Sequence, residues 1–262
     1  MPQLPFLKPI GLPFTELSSV DSTNNYALQQ IHGGLSQHGA AFFAYQQLKG
    51  KGQRGKSWTS EKGNNLILST VINPHPLHLS QQFQLSACVA ISAWEMFSIY
   101  AGEDTTIKWP NDIYWQDRKA GGILIENVIG GQLAAGNQQP GNWKWAVAGV
   151  GVNINQTVFP KEIKNPVSLK QITGQQHDPV QLAKEYCNIL DKNFTELITN
   201  GFEGIYTIYI DHLYKKDQMV KFKNGPRVFN ALVKKVSESG NLILQHAIEE
   251  EFGFGEVEWL IL

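Results

Sequence analysis

The run Gly50-Lys51-Gly52-Gln53-Arg54-Gly55-Lys56-Ser57 packs three glycines and three cations into a short stretch. Glycine lets a backbone approach a ligand closely. Lys51, Arg54 and Lys56 offer positive charge to an anion. Letter for letter, the run fits the phosphate-loop pattern G-x-x-x-x-G-K-[ST]. That motif needs a buried strand directly before it and a helix directly after it. Here the preceding apolar run ends at Tyr45, four residues early, and the sequence from Trp58 to Asn65 is turn-rich. The phosphate-loop reading is therefore rejected. An anion-binding loop between two strands remains, beside the plainer reading of a solvated surface loop.

Two further clusters could bear chemistry. Lys108-Trp109-Pro110-Asn111-Asp112 is followed by Lys119-Ala120-Gly121-Gly122-Ile123-Leu124-Ile125-Glu126. A lysine just before a glycine pair that opens a strand can reach a ligand lying over a sheet. Asp112 can neutralise a cation or help hold Mg2+. Gly149-Val150-Gly151-Val152-Asn153 ends another apolar run, and Asn153 has donors and acceptors suited to a purine or ribose. Taken singly, each cluster is better read as an ordinary turn or a packed strand than as a site.

The elements that must position these residues follow from periodicity. Apolar runs predict strands over 14–20, 40–45, 66–72, 105–109, 113–115, 122–128 and 143–152. Residues 25–32 form a helix behind the possible caps Asp21-Ser22-Thr23-Asn24, ended by Gly33-Gly34. Longer helices are expected over 80–100, 179–200 and 202–214. Residues 1–13 read as an extended, proline-rich arm, and 46–65 as loop. Beyond Tyr214 the texture changes to short alternating runs over 219–222, 228–236, 242–245 and 256–260. The fold class is α+β: a mixed β-sheet flanked by helices over 1–214, with a small β-barrel over 215–262.

The 262 residues can bury a substantial core. The formal charge of −1 disfavours general nucleic-acid binding. Cys88 and Cys187 lie far apart, without metal-ligand spacing, and read as buried reduced thiols. The beginning of the chain lacks a secretory pattern, and no run has the length of a membrane span. A cytoplasmic protein that uses no membrane is expected.

In order along the chain, Asp21–Asn24, Tyr45-Gln46-Gln47 with the glycine loop through Trp58 and Asn65-Leu66, Lys108–Tyr114 with Lys119–Glu126, and Gly149–Asn153 together resemble the biotin–protein ligases. The resemblance covers most of residues 20–155. It implies a catalytic sheet like that of class II aminoacyl-tRNA synthetases and an SH3-like C-terminal domain. It further implies a two-step reaction. Biotin and Mg-ATP form biotinyl-5′-AMP, and a lysine of a biotin carboxyl carrier domain then takes the biotin.

By that resemblance Ser22, Thr23 and Gln46 would hydrogen-bond the ureido ring beside Asn24, and Gly50 to Gly52 would close over it. Lys119 would hold the carboxylate and then the α-phosphate, next to Gly122. Arg54, Lys51 and Lys56 would bind phosphates. Trp58 would line the adenylate site, with Asn65, Asn111 and Asn153 near the nucleotide. Asp112 would assist the incoming lysine or organise Mg2+; no residue set is expected to hold a metal on its own. The family usually carries arginines where this chain has Lys51 and Gln53, so retention of the adenylate is the property in question. Members with a DNA-binding domain carry it before the catalytic motifs, and none is expected here. The carrier is expected to dock by extending the sheet, and the resemblance admits a homodimer. The competing readings are a lipoate–protein ligase and a non-catalytic biotin sensor. An octanoyltransferase would need a cysteine nucleophile.

Overall fold

The computed structural model describes residues 8–130 and 142–260. Seven strands form one sheet: β1 (Phe14–Leu17), β2 (Ala41–Ala44), β3 (Asn65–Ile72), β4 (Thr105–Lys108), β5 (Asp112–Trp115), β6 (Arg118–Gly130) and β7 (Asn142–Asn153). Their spatial order is β1-β2-β3-β7-β6-β5-β4. The β1–β2 pair is parallel and the other pairs are antiparallel. The sheet is thus mixed, as the sequence implies.

The centre of the sheet is buried on both faces, which is why β3 reads as a continuous apolar run rather than an alternating one. On one face, α2 (Gln82–Ala101) and α4 (Pro179–Asn200) cover the apolar side that carries Ala146, Ala148, Val150 and Val152, and α5 (Phe202–Asp211) packs against those two helices. On the other, α1 (Thr23–His32) covers only part of the sheet, burying Ala27 against Phe42, Val71 and Val147. The uncovered remainder of that face is open to a ligand. The α4 boundaries match the sequence expectation because both ends are marked. Asp178 accepts from Val180 and Gln181 at the N-terminus, proline is the first helical residue, and Gly201 follows the end.

The C-terminal expectation also holds. Strands β8 (Met219–Asn224), β9 (Arg227–Val236), β10 (Leu242–Gln245), β11 (Glu249–Phe252) and β12 (Glu258–Trp259) form a separate antiparallel sheet, ordered β11-β10-β9-β8-β12. The acid-rich β11 was not expected from periodicity. Neither was α3 (Leu169–Thr173), a single turn held by a reciprocal Ser168–Gln171 capping box. The expected N-terminal arm falls partly outside the described residues. Its described part is pinned rather than free: the Ile10 N–H donates to Asp191 Oδ1 at 2.8 Å, and the Gly11 N–H to the Gly39 carbonyl at 2.7 Å.

Contacts from the end of β4 and from α5 help tie the C-terminal sheet to the rest of the chain. The Trp109 indole donates to the Gly240 carbonyl at 2.9 Å, and the Tyr206 hydroxyl to the Val236 carbonyl at 2.6 Å.

Candidate active site

The register across the sheet lines up Ile67, Gly151, Gly122 and Asp112 on β3, β7, β6 and β5. Directly opposed residues share a face, and this is the face that α1 leaves open. A cleft over these positions is bounded by the start of α1, the glycine loop and β6.

Lys119 reaches that cleft through a register shift. Asp112 pairs with Gly122, but Tyr114 pairs with Lys119, so β6 carries one extra residue between the two pairs. An odd sequence separation normally puts two strand residues on opposite faces. The bulge restores Lys119 to the same face as Gly122. Its Nζ lies 2.6 Å from Asp112 Oδ1. The Lys119 backbone is held by Asn165 and Val167, whose hydrogen bonds measure 2.7 and 2.9 Å.

The opposite end of the cleft is neutral and polar. Ser22, Thr23 and Asn24 are buried where α1 begins. The Thr23 N–H and hydroxyl both reach Gln47 Oε1, at 2.8 and 3.1 Å. Ser69 Oγ is 2.7 Å from Thr23 Oγ1 and 2.6 Å from Asn24 Oδ1. Asn24 donates to Glu126 Oε2 at 2.8 Å, and Glu126 pairs with Lys51 at 3.3 Å.

The side chain on this wall is Gln47, whereas Gln46 does not line the cleft. The Gln46 carbonyl accepts from Val20, and the Leu48 N–H donates to Val20, so the residue between them projects from the ladder. The resemblance points to Gln46 at this position, and two adjacent glutamines give no phase in the sequence that would tell them apart.

The glycine loop is a closed turn, not a phosphate loop. The Trp58 N–H donates to the Gly50 carbonyl at 2.9 Å, and the Gly52 N–H to the Lys56 carbonyl at 2.7 Å. Only a short 3-10 turn, Gln53–Gly55, lies between them, and no helix follows. Gly50 is required for this closure, because a Cβ there would collide with the Trp58 carbonyl. The loop drapes Trp58 over Gly151 and Gly122; added Cβ atoms would lie 2.7 and 3.4 Å from its ring. Trp58 Nε1 and Gln53 Oε1 are buried without a partner among the described residues. An unsatisfied polar atom at a cleft wall is one that a bound ligand can satisfy.

Lys51, Gly52, Gln53, Asn111, Asp112 and Gly122 all line the cleft. Asn111 donates to the Ile123 carbonyl at 2.6 Å and Gln53 to the same oxygen at 3.4 Å. Arg54 does not line the cleft. At the turn apex, with φ of 56°, it donates to the Gly255 carbonyl at 3.2 Å, 5.9 Å from the centroid of the Phe254 ring. Lys56 is exposed outside the cleft.

Asn65 and Asn153 oppose each other across β3 and β7, but both turn inward. Asn65 bonds Gln156 at 2.6 Å and the Ile154 N–H at 3.0 Å; Asn153 bonds the Val167 carbonyl at 3.1 Å. These contacts brace the segment behind Lys119. One residue that motif reading left without a role, Lys108, lies one strand beyond Asp112. Burial pushes its ammonium down to about 8, against the pull of Asp112.

Both cysteines are buried in the helical layer, and burial pushes their thiols up, Cys187 to about 12. Neither lines the cleft, so no thiol nucleophile serves it.

The model of the Biotin/lipoate A/B protein ligase family matches residues 16–137. The chain is 29% identical to the biotin--[acetyl-CoA-carboxylase] ligase of Paracoccus denitrificans, over 87% of this chain and 92% of that protein. It is 39% identical to the bifunctional ligase/repressor BirA of Escherichia coli K12, over 42% of this chain and 33% of that protein. The solved structure of the biotin protein ligase from Aquifex aeolicus in complex with biotin and ATP matches with a TM-score of 0.75 and 25% identity, covering 94% of this chain and 97% of that one. Residues 16–137 thus match the Biotin/lipoate A/B protein ligase family, and most of the chain is similar in sequence and fold to biotin protein ligases.

Proposed function

We propose that this protein is an ATP-dependent ligase that activates biotin as biotinyl-5′-AMP and transfers it to a lysine of a biotin carboxyl carrier protein. The carrying observation is the polarity of one continuous cleft. It has a neutral hydrogen-bonding wall at Thr23 and Gln47, and the Lys119–Asp112 pair at the other end. A ureido ring needs paired donors and acceptors, since an unpaired buried polar group costs about 1–3 kcal/mol. A carboxylate joining an α-phosphate needs a fixed positive charge where negative charge concentrates.

In the roles this reading assigns, Ser22, Thr23 and Gln47 hold the ring while Asn24 and Ser69 hold Thr23 in place. Lys119 bridges the carboxylate and the α-phosphate, with Asp112 setting the position of its Nζ. The backbone from Gly50 to Gly52 covers the ring, and Trp58 offers its ring edge and free Nε1 to the adenylate. Arg54, Lys51 and Lys56 supply further charge to the phosphates once the nucleotide arrives. Asn65 and Asn153 act from behind, by bracing the strand ends.

The described residues contain no group of three or more His, Cys, Asp or Glu side chains arranged for a metal. Asp112 is the carboxylate at the reacting end of the cleft. Mg2+ therefore fits as the nucleotide's own ion, held by phosphates and water with at most one protein carboxylate.

The carrier docks, in this reading, along β6. Among the described residues β6 has β5 beside it only as far as Gly122, and the edge from Ile125 onward has no strand partner. Such an edge can accept a strand from another chain. The same edge would serve a homodimer. A formal charge of −1 argues against general nucleic-acid binding, and a carrier-modifying enzyme with two free thiols fits the cytoplasm.

Biotin-dependent exchange of pyrophosphate into ATP tests the reading. Exchange with biotin that falls by roughly 10²–10³ in Lys119→Ala is expected. Exchange with lipoate in place of biotin would overturn it.

A further inference from the structure

The register that aligns Gly151, Gly122 and Asp112 continues one strand further, to Lys108 on β4. Lys108 shares the ligand face. Its Nζ donates to the Tyr114 hydroxyl at 3.0 Å and lies 4.4 Å from the centroid of that ring. Trp259, from β12 of the C-terminal sheet, is 5.5 Å away, and Tyr214 is 5.7 Å away.

A buried ammonium is costly without an anion beside it, and both carboxylates near Lys108 are already taken. Asp112 pairs with Lys119 at 2.6 Å. Asp117 pairs with Lys215 at 2.8 Å and accepts from the Tyr214 hydroxyl at 2.7 Å. Lys56 adds further positive charge from the glycine loop. Four lysines thus face two aspartates, a surplus of two positive charges. The aromatic faces offset part of the deficit. Burial, more than the neighbouring cations, pushes the ammonium down to about 8.

We propose that Lys108 receives the β- and γ-phosphates of the nucleotide, and the pyrophosphate they become, one strand away from the α-phosphate position at Lys119. The proposal rests on the ligase reading above. In the activation step a biotin carboxylate oxygen bonds to the α-phosphorus. The bond from that phosphorus to the α–β bridging oxygen breaks, and its electron pair leaves with pyrophosphate. Lys108 stands one strand spacing, about 4.8 Å, beyond Asp112, where that departing charge accumulates. Trp259 and Tyr214 are positioning residues: they hold the stem and keep water from the ammonium. The C-terminal strand is thereby coupled to the first half-reaction.

The test is the kinetics of biotin-dependent exchange in wild type, Lys108→Met and Lys108→Arg, with calorimetric titration of inorganic pyrophosphate into each protein. Methionine keeps the packing and removes the charge. We expect Lys108→Met to raise the KM for pyrophosphate by about tenfold or more, the scale of one charge-assisted hydrogen bond. Biotin affinity should stay within about twofold. Lys108→Arg should recover most of the loss. In wild type, kcat/KM for pyrophosphate should fall as pH rises past about 8, where free Lys108 loses its proton. Pyrophosphate's own titration is common to all variants, so the limb assigned to Lys108 is the one absent in Lys108→Arg. Trp259→Leu, which rehydrates the ammonium, should move that limb to higher pH. An unchanged KM for pyrophosphate in folded Lys108→Met overturns the proposal. So does an alkaline limb that neither Lys108→Arg nor Trp259→Leu alters. If wild type shows no exchange at all, the ligase reading fails, and the calorimetric comparison still decides whether Lys108 binds pyrophosphate.

Discussion

Trp58 lies across Gly151 so closely that a Cβ there would stand 2.7 Å from its indole ring. Gly151 sits inside a long central strand, where glycine is otherwise unfavourable. The strand gives up β propensity so that the indole can lie flat on the sheet. Gly151→Val should therefore favour the strand and displace the ring. The expected result is a KM for ATP raised about tenfold or more, equivalent to about 1.4 kcal/mol. Initial rates of exchange against ATP concentration check this, and an unchanged KM would remove Trp58 from the nucleotide site.

Lys119 has a defined position, set by Asp112 at 2.6 Å and by the bulge before Gly122. Lys119→Ala should lower the exchange rate by roughly 10²–10³, the usual scale for removing one preorganised transition-state donor. Biotin binding, measured by calorimetry without nucleotide, should weaken by only about tenfold, because the carboxylate loses one charge-assisted contact while Thr23 and Gln47 still hold the ring. Loss of the cooperative melting transition together with activity would mean that Lys119 holds the fold rather than the reacting atoms.

Arg54 joins the glycine loop to the C-terminal sheet through the Gly255 carbonyl and Phe254. The contact is exposed, so Arg54→Ala should change stability by less than about 1 kcal/mol. It should nevertheless free the turn. Hydrogen exchange over residues 50–58 should quicken while the core strands keep their protection. Unaltered exchange in that loop would show that the tether does not restrain it.

His38 is buried, and its Nδ1 accepts the Asn73 N–H at 3.0 Å. Burial lowers its pKa, with Asp191 opposing. The unfolded chain therefore binds the proton more readily than the folded one, and stability rises with pH across this titration. The contribution is complete above the unfolded value, about 6.5, and is lost as pH falls through the lower folded value. His38→Asn keeps an acceptor and removes the titration. Its melting temperature should fall less than that of wild type between pH 7 and 5.

Gln53 bonds the Ile123 carbonyl through a long 3.4 Å contact, and its Oε1 has no partner among the described residues. A cation there would reach the adenylate with charge. Gln53→Arg should slow the release of biotinyl-AMP from the enzyme, measured after rapid gel filtration. Equal release would show that position 53 does not control retention.

Much of this protein is legible before any coordinates. The apolar runs locate the strands of the main sheet because a strand buried on both faces needs no phase. Pro179–Asn200 is read with both ends correct because Asp178, Pro179 and Gly201 mark them locally. Cation type and glycine spacing mark the Gly50–Trp58 loop as a candidate anion-binding loop, the resemblance singles out Lys119, and the structure brings both to one cleft. Where a signal is short or mixed, reading fails. The single turn Leu169–Thr173 is too brief for periodicity, and β11 buries one residue of four.

The sequence by itself determined which chemical groups exist and which segments become strands and helices. Only the tertiary structure decided where those groups point. Lys119 and Gly122 share a face because one extra residue bulges between β5 and β6. Gln47 rather than Gln46 lines the cleft because Val20 pairs on either side of it. Asn65 and Asn153 turn inward because Gln156 and Val167 are there to receive them. Side-chain direction on a strand is a matter of register. Register is set by pairing with residues tens of positions away, and no local pattern contains that information.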